Sequence, residues 1–272
     1  MVIKRKIKYR IFGGLTVLTL VAIMVTASVR KNSDHEHPAV FAHRGDHRHA
    51  PENTIPAFEE AIENGADGIE LDVTQTKDGR LIVVHDDNLE RVTGCGQNVW
   101  DLTFDEIRLL DAGRPVSEEY TGTRIPELKE VLELCKGKIR LYVELKYNGH
   151  ETDDFVERVV RLIEQEGMTE ECLVASFHYE FASEAKKISP RLKAGLIFSD
   201  ENMDWNRYED MDIFSINTHC FTKAIAKQMH DKGKAVYVWT VNEGTDINNC
   251  IQWGADAIVT NDIAAVKIAL LK

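Results

Sequence analysis

Gly68-Ile69-Glu70-Leu71-Asp72-Val73 is the stretch on which the reading of this chain turns. Side chains of a strand alternate between two faces, so Ile69, Leu71 and Val73 share one side and Glu70 and Asp72 the other. The i, i+2 spacing returns at Glu144 and Lys146, which end a second apolar run. Three carboxylates pointing into one low-dielectric space repel one another unless a cation lies between them. A hard divalent ion, Mg2+ or Ca2+, suits an all-oxygen ligand set of Glu70, Asp72 and Glu144. Around this strand stand His43-Arg44-Gly45 and His85-Asp86, each closing an apolar run. Histidine titrates near neutrality, so His43 and His85 are candidates for proton transfer beside that cation. Together these groups make a site for hydrolysis.

Working outward, strand-like runs fall at residues 39–42, 68–73, 139–145, 172–176, 194–198, 213–217, 235–241 and 257–260. Residues 81–84 follow an Asp78-Gly79 turn and read as a hairpin partner. Helical patterns lie between most of the strands. Residues 52–64 place Ile55, Phe58 and Ile62 on one face, with Asn53 or Thr54 as cap and Pro56 in the first turn. Eight strands in βα alternation predict a (β/α)8 TIM barrel, with a doubly wound open sheet as the alternative. Residues 87–120 have little strand character and predict a loop with a short helix near 104–110. In a barrel, the C-terminal strand ends converge on one mouth. That would gather His43, Arg44, Glu70, Asp72, Glu144, Lys146, Ser176, Asn217, Trp239 and Asn261.

The N-terminus reads separately. Lys4, Arg5, Lys6, Lys8 and Arg10 precede an uncharged stretch over residues 11–29, and Arg30-Lys31 follow it. Nineteen such residues suffice to span roughly 30 Å of hydrocarbon. The charge bias places the N-terminus in the cytoplasm. Residues 1–30 are therefore expected to be a single transmembrane anchor, with a cleaved signal peptide as the alternative. On that reading the protein sits at the cell membrane, or is secreted if cleaved, with residues 38–272 forming an extracytoplasmic barrel domain. Six of the 33 basic residues and none of the 45 acidic ones lie in the first 30 positions. Residues 31–272 thus carry 27 basic against 45 acidic residues, a net of −18, which argues against nucleic acid as a partner. The five cysteines show no CxxC pair and read mainly as small core residues.

The chain resembles the glycerophosphodiester phosphodiesterase family. The resemblance rests on His43-Arg44-Gly45, Pro51-Glu52-Asn53-Thr54, residues 65–73, Thr76-Lys77-Asp78-Gly79, Val84-His85-Asp86, residues 89–93, Glu144-Leu145-Lys146 and Trp239-Thr240-Val241-Asn242, in that order. It implies a TIM barrel that hydrolyses glycerophosphodiesters to sn-glycerol 3-phosphate and an alcohol. It implies metal binding by Glu70, Asp72 and Glu144, acid/base work by His43 and His85, and phosphate contacts from Arg44 and Lys146. The nucleophile would be either the substrate's own glycerol hydroxyl or water. The runner-up readings are a phospholipase D-like, lysophospholipid or glycerophosphate-polymer phosphodiesterase, and an inactive glycerophosphoryl-binding module.

Trp239 reads as a substrate platform at the mouth or a core aromatic, and Phe177 as core or pocket wall. Glu52 reads as a brace for the first helix. His47 and His49 depart from the small or aromatic residues expected in that loop. They read as exposed groups acting on substrate choice or surface charge, rather than joining His35 and His37 at a transition metal. Ser176 lies in no nucleophile-elbow pattern.

Overall fold

The structure, a computed structural model, describes residues 37–200 and 203–272. The apolar stretch over residues 11–29, and with it the expected anchor, lies outside the described residues. Among the described residues no helix is long and apolar enough to cross a membrane.

Nine strands form one sheet: β1 Ala39–His43, β2 Gly68–Gln75, β3 Leu81–Val83, β4 Arg140–Leu145, β5 Cys172–Ser176, β6 Lys193–Phe198, β7 Ile213–Asn217, β8 Ala235–Trp239 and β9 Ala257–Thr260. All neighbours pair in parallel except β3, which runs antiparallel to β2 as a hairpin. The order β1-β9-β8-β7-β6-β5-β4-β2-β3 is closed by a β1–β2 pairing, so eight parallel strands form a barrel and the open-sheet alternative is excluded. The described helices are α1 Ile55–Glu63, α2 Glu90–Thr93, α3 Phe104–Ile107, α4 Leu128–Cys135, α5 Phe155–Gln165, α6 Tyr179–Ile188, α7 Lys223–Asp231, α8 Gly244–Trp253 and α9 Ile263–Leu270. Only a 3-10 turn, Trp205–Tyr208, joins the described parts of the β6–β7 connection.

Alternation along the strands divides the core. Val40, Ala42, Ile69, Leu71 and Val73 face outward and pack with helix residues such as Phe58, Val131 and Val159. Phe41, Tyr142, Leu173, Ile197, Tyr237 and Val259 face the barrel interior. There the Phe41, Tyr142 and Tyr237 rings meet at centroid distances of 5.4–6.5 Å and plug the barrel. Gly68 makes room for this plug, since a Cβ there would lie 2.2 Å from Phe41 Cε1. Four cysteines, Cys135, Cys172, Cys220 and Cys250, are buried as small core residues.

Three expectations need correction or refinement. β8 ends at Trp239 rather than Val241, although the Val241 N–H still donates to Val259 O at 2.9 Å. Thr54 takes the N-cap of α1 as one of the two expected candidates, but makes no side-chain cap bond; its hydroxyl donates to Pro51 O. Residues 87–120 are more than a loop with one short helix. They hold α2, α3 and two 3-10 turns over a small core in which Leu89, Val99, Leu102 and Ile107 pack with Ile82, Val84 and Ile125.

Candidate active site

The parallel register of the strands brings the polar ends together. His43 of β1 pairs with Glu70 of β2, and Asp72 pairs with Glu144 of β4. One oxygen from each of Glu70, Asp72 and Glu144 lies within 4.8 Å of the others, and all three residues are buried. Lys146 follows β4, its Nζ 2.9 Å from Glu144 Oε1 and 3.4 Å from Asp72 Oδ1. Arg44 Nε approaches Asp72 Oδ2 at 3.6 Å, and the Arg44 backbone N–H donates to Glu70 Oε2 at 3.0 Å.

Local backbone geometry makes this possible. Arg44 and Asn53 both sit at positive φ, 57° and 56°, a region non-glycine residues rarely occupy. The Asn53 N–H donates to Arg44 O, which locks the two turns together. Gly45 follows at φ 79°, where a Cβ would lie 2.8 Å from the Ala57 carbonyl group. The turn after β1 therefore packs directly on the backbone of α1, and only glycine fits there.

The charges in the cluster are unevenly held. Burial, then repulsion from Asp72 and Glu144, pushes the Glu70 carboxyl well above the usual carboxylate range. Burial and Asp72 also raise Glu144, against the pull of Lys146. Asp72 goes the other way: burial would raise it, but Lys146, His85 and Arg44 outweigh burial and hold it low. Lys146 is raised, because Glu144 and Asp72 more than offset its own burial.

A divalent cation fits this donor set. Asp72 Oδ1 and Arg44 Nε are buried without hydrogen-bond partners, their 3.4 and 3.6 Å contacts being ion pairs too long to hydrogen-bond well. Three convergent carboxylates offer oxygen ligands alone, as a hard cation prefers.

The two histidines differ in what orients them. The His43 ring is half-buried beside the cluster, with Nε2 3.9 Å from Glu70 Oε2 and Nδ1 2.7 Å from Asn261 Oδ1. Burial and the adjacent Arg44 lower His43 to about 4. His85 is more exposed, and its Nδ1 lies 2.7 Å from Asp86 Oδ1. Where Nδ1 donates to these oxygens, Nε2 of each ring remains as the proton-exchanging nitrogen.

Trp239 ends β8. Its indole N–H donates to Ser215 O at 3.1 Å and its ring meets Phe177 edge-on at 5.5 Å. Phe177 is 51% exposed, so it is pocket wall rather than core. A cleft of ≈ 220 Å³ runs from Glu144 and Lys146 past Tyr147, Ser176, Phe177 and His178. Ser176 donates its hydroxyl to Leu145 O and accepts from the His178 N–H, so it is engaged in structure.

Several residues acquire contacts that sequence reasoning did not assign. Asn53, read as a helix cap, donates its amide to Asp72 Oδ2 at 2.8 Å. Asn261, a strand-end residue without a role, orients His43. Glu52 accepts from Arg44 and Arg91 rather than bracing the first helix. The Pro51-Glu52-Asn53-Thr54 block was the available signal for Asn53 and Glu52. His47, expected to be exposed, is half-buried and packs its ring across His43 at 6.0 Å, while His49 is exposed and pairs with Asp46.

The model of the Glycerophosphoryl diester phosphodiesterase family matches residues 43–265 of this chain. A glycerophosphodiester phosphodiesterase of Caldanaerobacter subterraneus is 37% identical over 227 residues, which cover 82% of this chain and 93% of that protein. One from Bacillus altitudinis is 35% identical over 241 residues, covering 84% and 97%. Among solved structures, an Oleispira antarctica phosphodiesterase in complex with the product sn-glycerol-3-phosphate matches with a TM-score of 0.82 at 26% identity, covering 87% of this chain and 98% of that one. The chain belongs to the glycerophosphoryl diester phosphodiesterase family, and it is a phosphoric diester hydrolase.

Proposed function

We propose that this enzyme hydrolyses glycerophosphodiesters to sn-glycerol 3-phosphate and an alcohol, with Glu70, Asp72 and Glu144 holding one Mg2+ or Ca2+. The observation that carries this reading is the buried carboxylate trio, bordered by Arg44 and Lys146 and flanked by two histidines. The ion would supply charge neutralisation for a phosphodiester anion and its more highly charged transition state. Arg44 and Lys146 bind the phosphate oxygens. Asn53 fixes the Asp72 carboxylate, and the strained turn at Arg44 presents its backbone N–H to Glu70. His43, whose Nδ1 faces a neutral amide, stays uncharged and takes the proton of the attacking hydroxyl on Nε2. His85, oriented by the Asp86 carboxylate, gives its proton to the leaving alcohol oxygen. A diester and one water thereby become glycerol 3-phosphate and a free alcohol. Trp239 and Phe177 line the mouth beside the carboxylates, where an uncharged part of the substrate rests.

Exposed Phe177 and Tyr147 favour a second reading in which the glycerol side of the diester carries an acyl chain, as in a lysophospholipid. The test is incubation with glycerophosphocholine and with lysophosphatidylcholine, with and without chelator. Glycerol 3-phosphate release from glycerophosphocholine that stops in chelator and returns with Mg2+ or Ca2+ is expected. No release from any glycerophosphodiester in either ion would overturn the proposal. Faster turnover of the lysolipid would favour the second reading.

A further inference from the structure

Arg91 lies outside the carboxylate cluster, yet it joins the two sides of the mouth. It belongs to α2, in the segment that crosses from β3 toward β4. Its Nε donates to Asp86 Oδ2 at 2.6 Å, and the opposite oxygen of that carboxylate orients His85. Its Nη1 and Nη2 donate to the two oxygens of Glu52 at 2.8 and 2.7 Å, and Glu52 Oε1 also accepts from Arg44 Nη1 at 2.9 Å. One rigid guanidinium plane therefore grips the carboxylate behind His85 and the carboxylate behind Arg44 at the same time. Lysine, with a single point charge, cannot reproduce this fork. Burial alone would raise Glu52 and Asp86, but the hydrogen bonds from Arg91 outweigh it and hold each carboxyl at about 2.

The platform under Arg91 is itself fixed. Leu89 is fully buried in the small core below the segment, and its N–H donates to Gln97 O. Asn88 Oδ1 accepts from the Glu90 N–H, the Thr93 hydroxyl donates to Leu89 O, and Gly94 ends the turn at φ 77°. A four-residue helix would not persist alone in water. Here buried contacts and local bonds hold it, and its one long cationic side chain is aimed back at the mouth. An isolated ion pair as exposed as Arg91 would contribute little, but a bidentate pair inside a chain of four charged groups is a different case.

We propose that Arg91 is a positioning residue for the hydrolysis, coupling the His85–Asp86 pair to the Glu52–Arg44 pair so that proton donor and phosphate ligand keep a fixed separation. This rests on the roles given above to His85 and Arg44. The segment over residues 87–120 would then do more than border the cleft: through Arg91 it sets the internal spacing of the site.

The test measures kcat and KM for glycerophosphocholine in the full chain, for Arg91→Met, Glu52→Gln, Asp86→Asn and the two double variants that combine Arg91→Met with each of the others. Arg91→Met is expected to lower kcat/KM by about 10- to 100-fold. Its effect should be less than additive with Glu52→Gln and with Asp86→Asn. Arg191→Met, which removes an exposed pair in which Nε and Nη2 both donate to Glu170 Oε1, should leave kcat/KM unchanged. A fall of less than threefold in Arg91→Met, additivity in either cycle, or an equal fall in Arg191→Met would overturn the proposal. Should Arg91→Met not fold, Arg91→Lys enters the same cycles under the same criteria. Wild-type chain inactive on every diester would instead refute the proposed function, so the two failures are distinct.

Discussion

The mouth of the barrel has two unlike halves. On β1, β2 and β4 the inward strand ends carry His43, Glu70, Asp72 and Glu144, with Arg44 and Lys146 just beyond, closely packed and mostly buried. β5, next to β4, and β8, two strands from β1, contribute Ser176, followed by Phe177, and Trp239, with no carboxylate among those three and with half of Phe177 in solvent. The first half is over-determined: each charged group touches at least one other, so a change in one disturbs several. The second offers apolar area with few directional bonds. On the proposed function, chemistry belongs to the charged half and accommodation of the substrate's uncharged parts to the aromatic half.

This division predicts unequal costs. His43→Ala and His85→Ala should each reduce kcat by about 10²- to 10⁴-fold, the usual range for a positioned acid or base. The two should separate on glycerol 3-phosphate p-nitrophenyl ester, whose leaving group needs no proton. There His85→Ala should recover much of its loss and His43→Ala should not; equal recovery would remove the assignment of acid and base. Phe177→Ala and Trp239→Ala should cost far less, within about tenfold in kcat/KM. Their loss should show mainly in KM and in the ranking of alcohols, as expected for binding that is the same in ground and transition states. A kcat loss in Phe177→Ala as large as that of His85→Ala would erase the distinction between the halves.

Legibility in the sequence followed the same line. The charged half could be read because a period of two fixes which side chains share a face, and parallel pairing then places Asp72 beside Glu144. The barrel followed from the alternation of strands and helices, and the hairpin from Asp78-Gly79. The partners of those charges were not legible. Asn53 looks like a helix cap from its neighbours, and only the left-handed turn aims its amide at Asp72, 19 residues away. Asn261 reaches His43 across 218 residues, a contact that exists only because β9 closes on β1. The small core under residues 87–120 is built from Leu89, Val99, Leu102 and Ile107, whose spacing has neither the helix nor the strand period, so it passed for loop. His47 followed a polar pattern to the surface, whereas packing on His43 draws it inward.

The central claim is that Glu70, Asp72 and Glu144 together hold a divalent cation that the reaction requires. Calorimetric titration of Mg2+ and of Ca2+ into the wild-type chain and Glu70→Gln tests it most directly. The substitution keeps a side-chain oxygen for the Arg44 N–H while removing one charge from the ligand set. One saturable site is expected in the wild type for at least one of the ions, with affinity lower by at least about tenfold in Glu70→Gln and turnover falling in step. Equal affinity in the two proteins, or full wild-type turnover with no ion bound, would contradict the account.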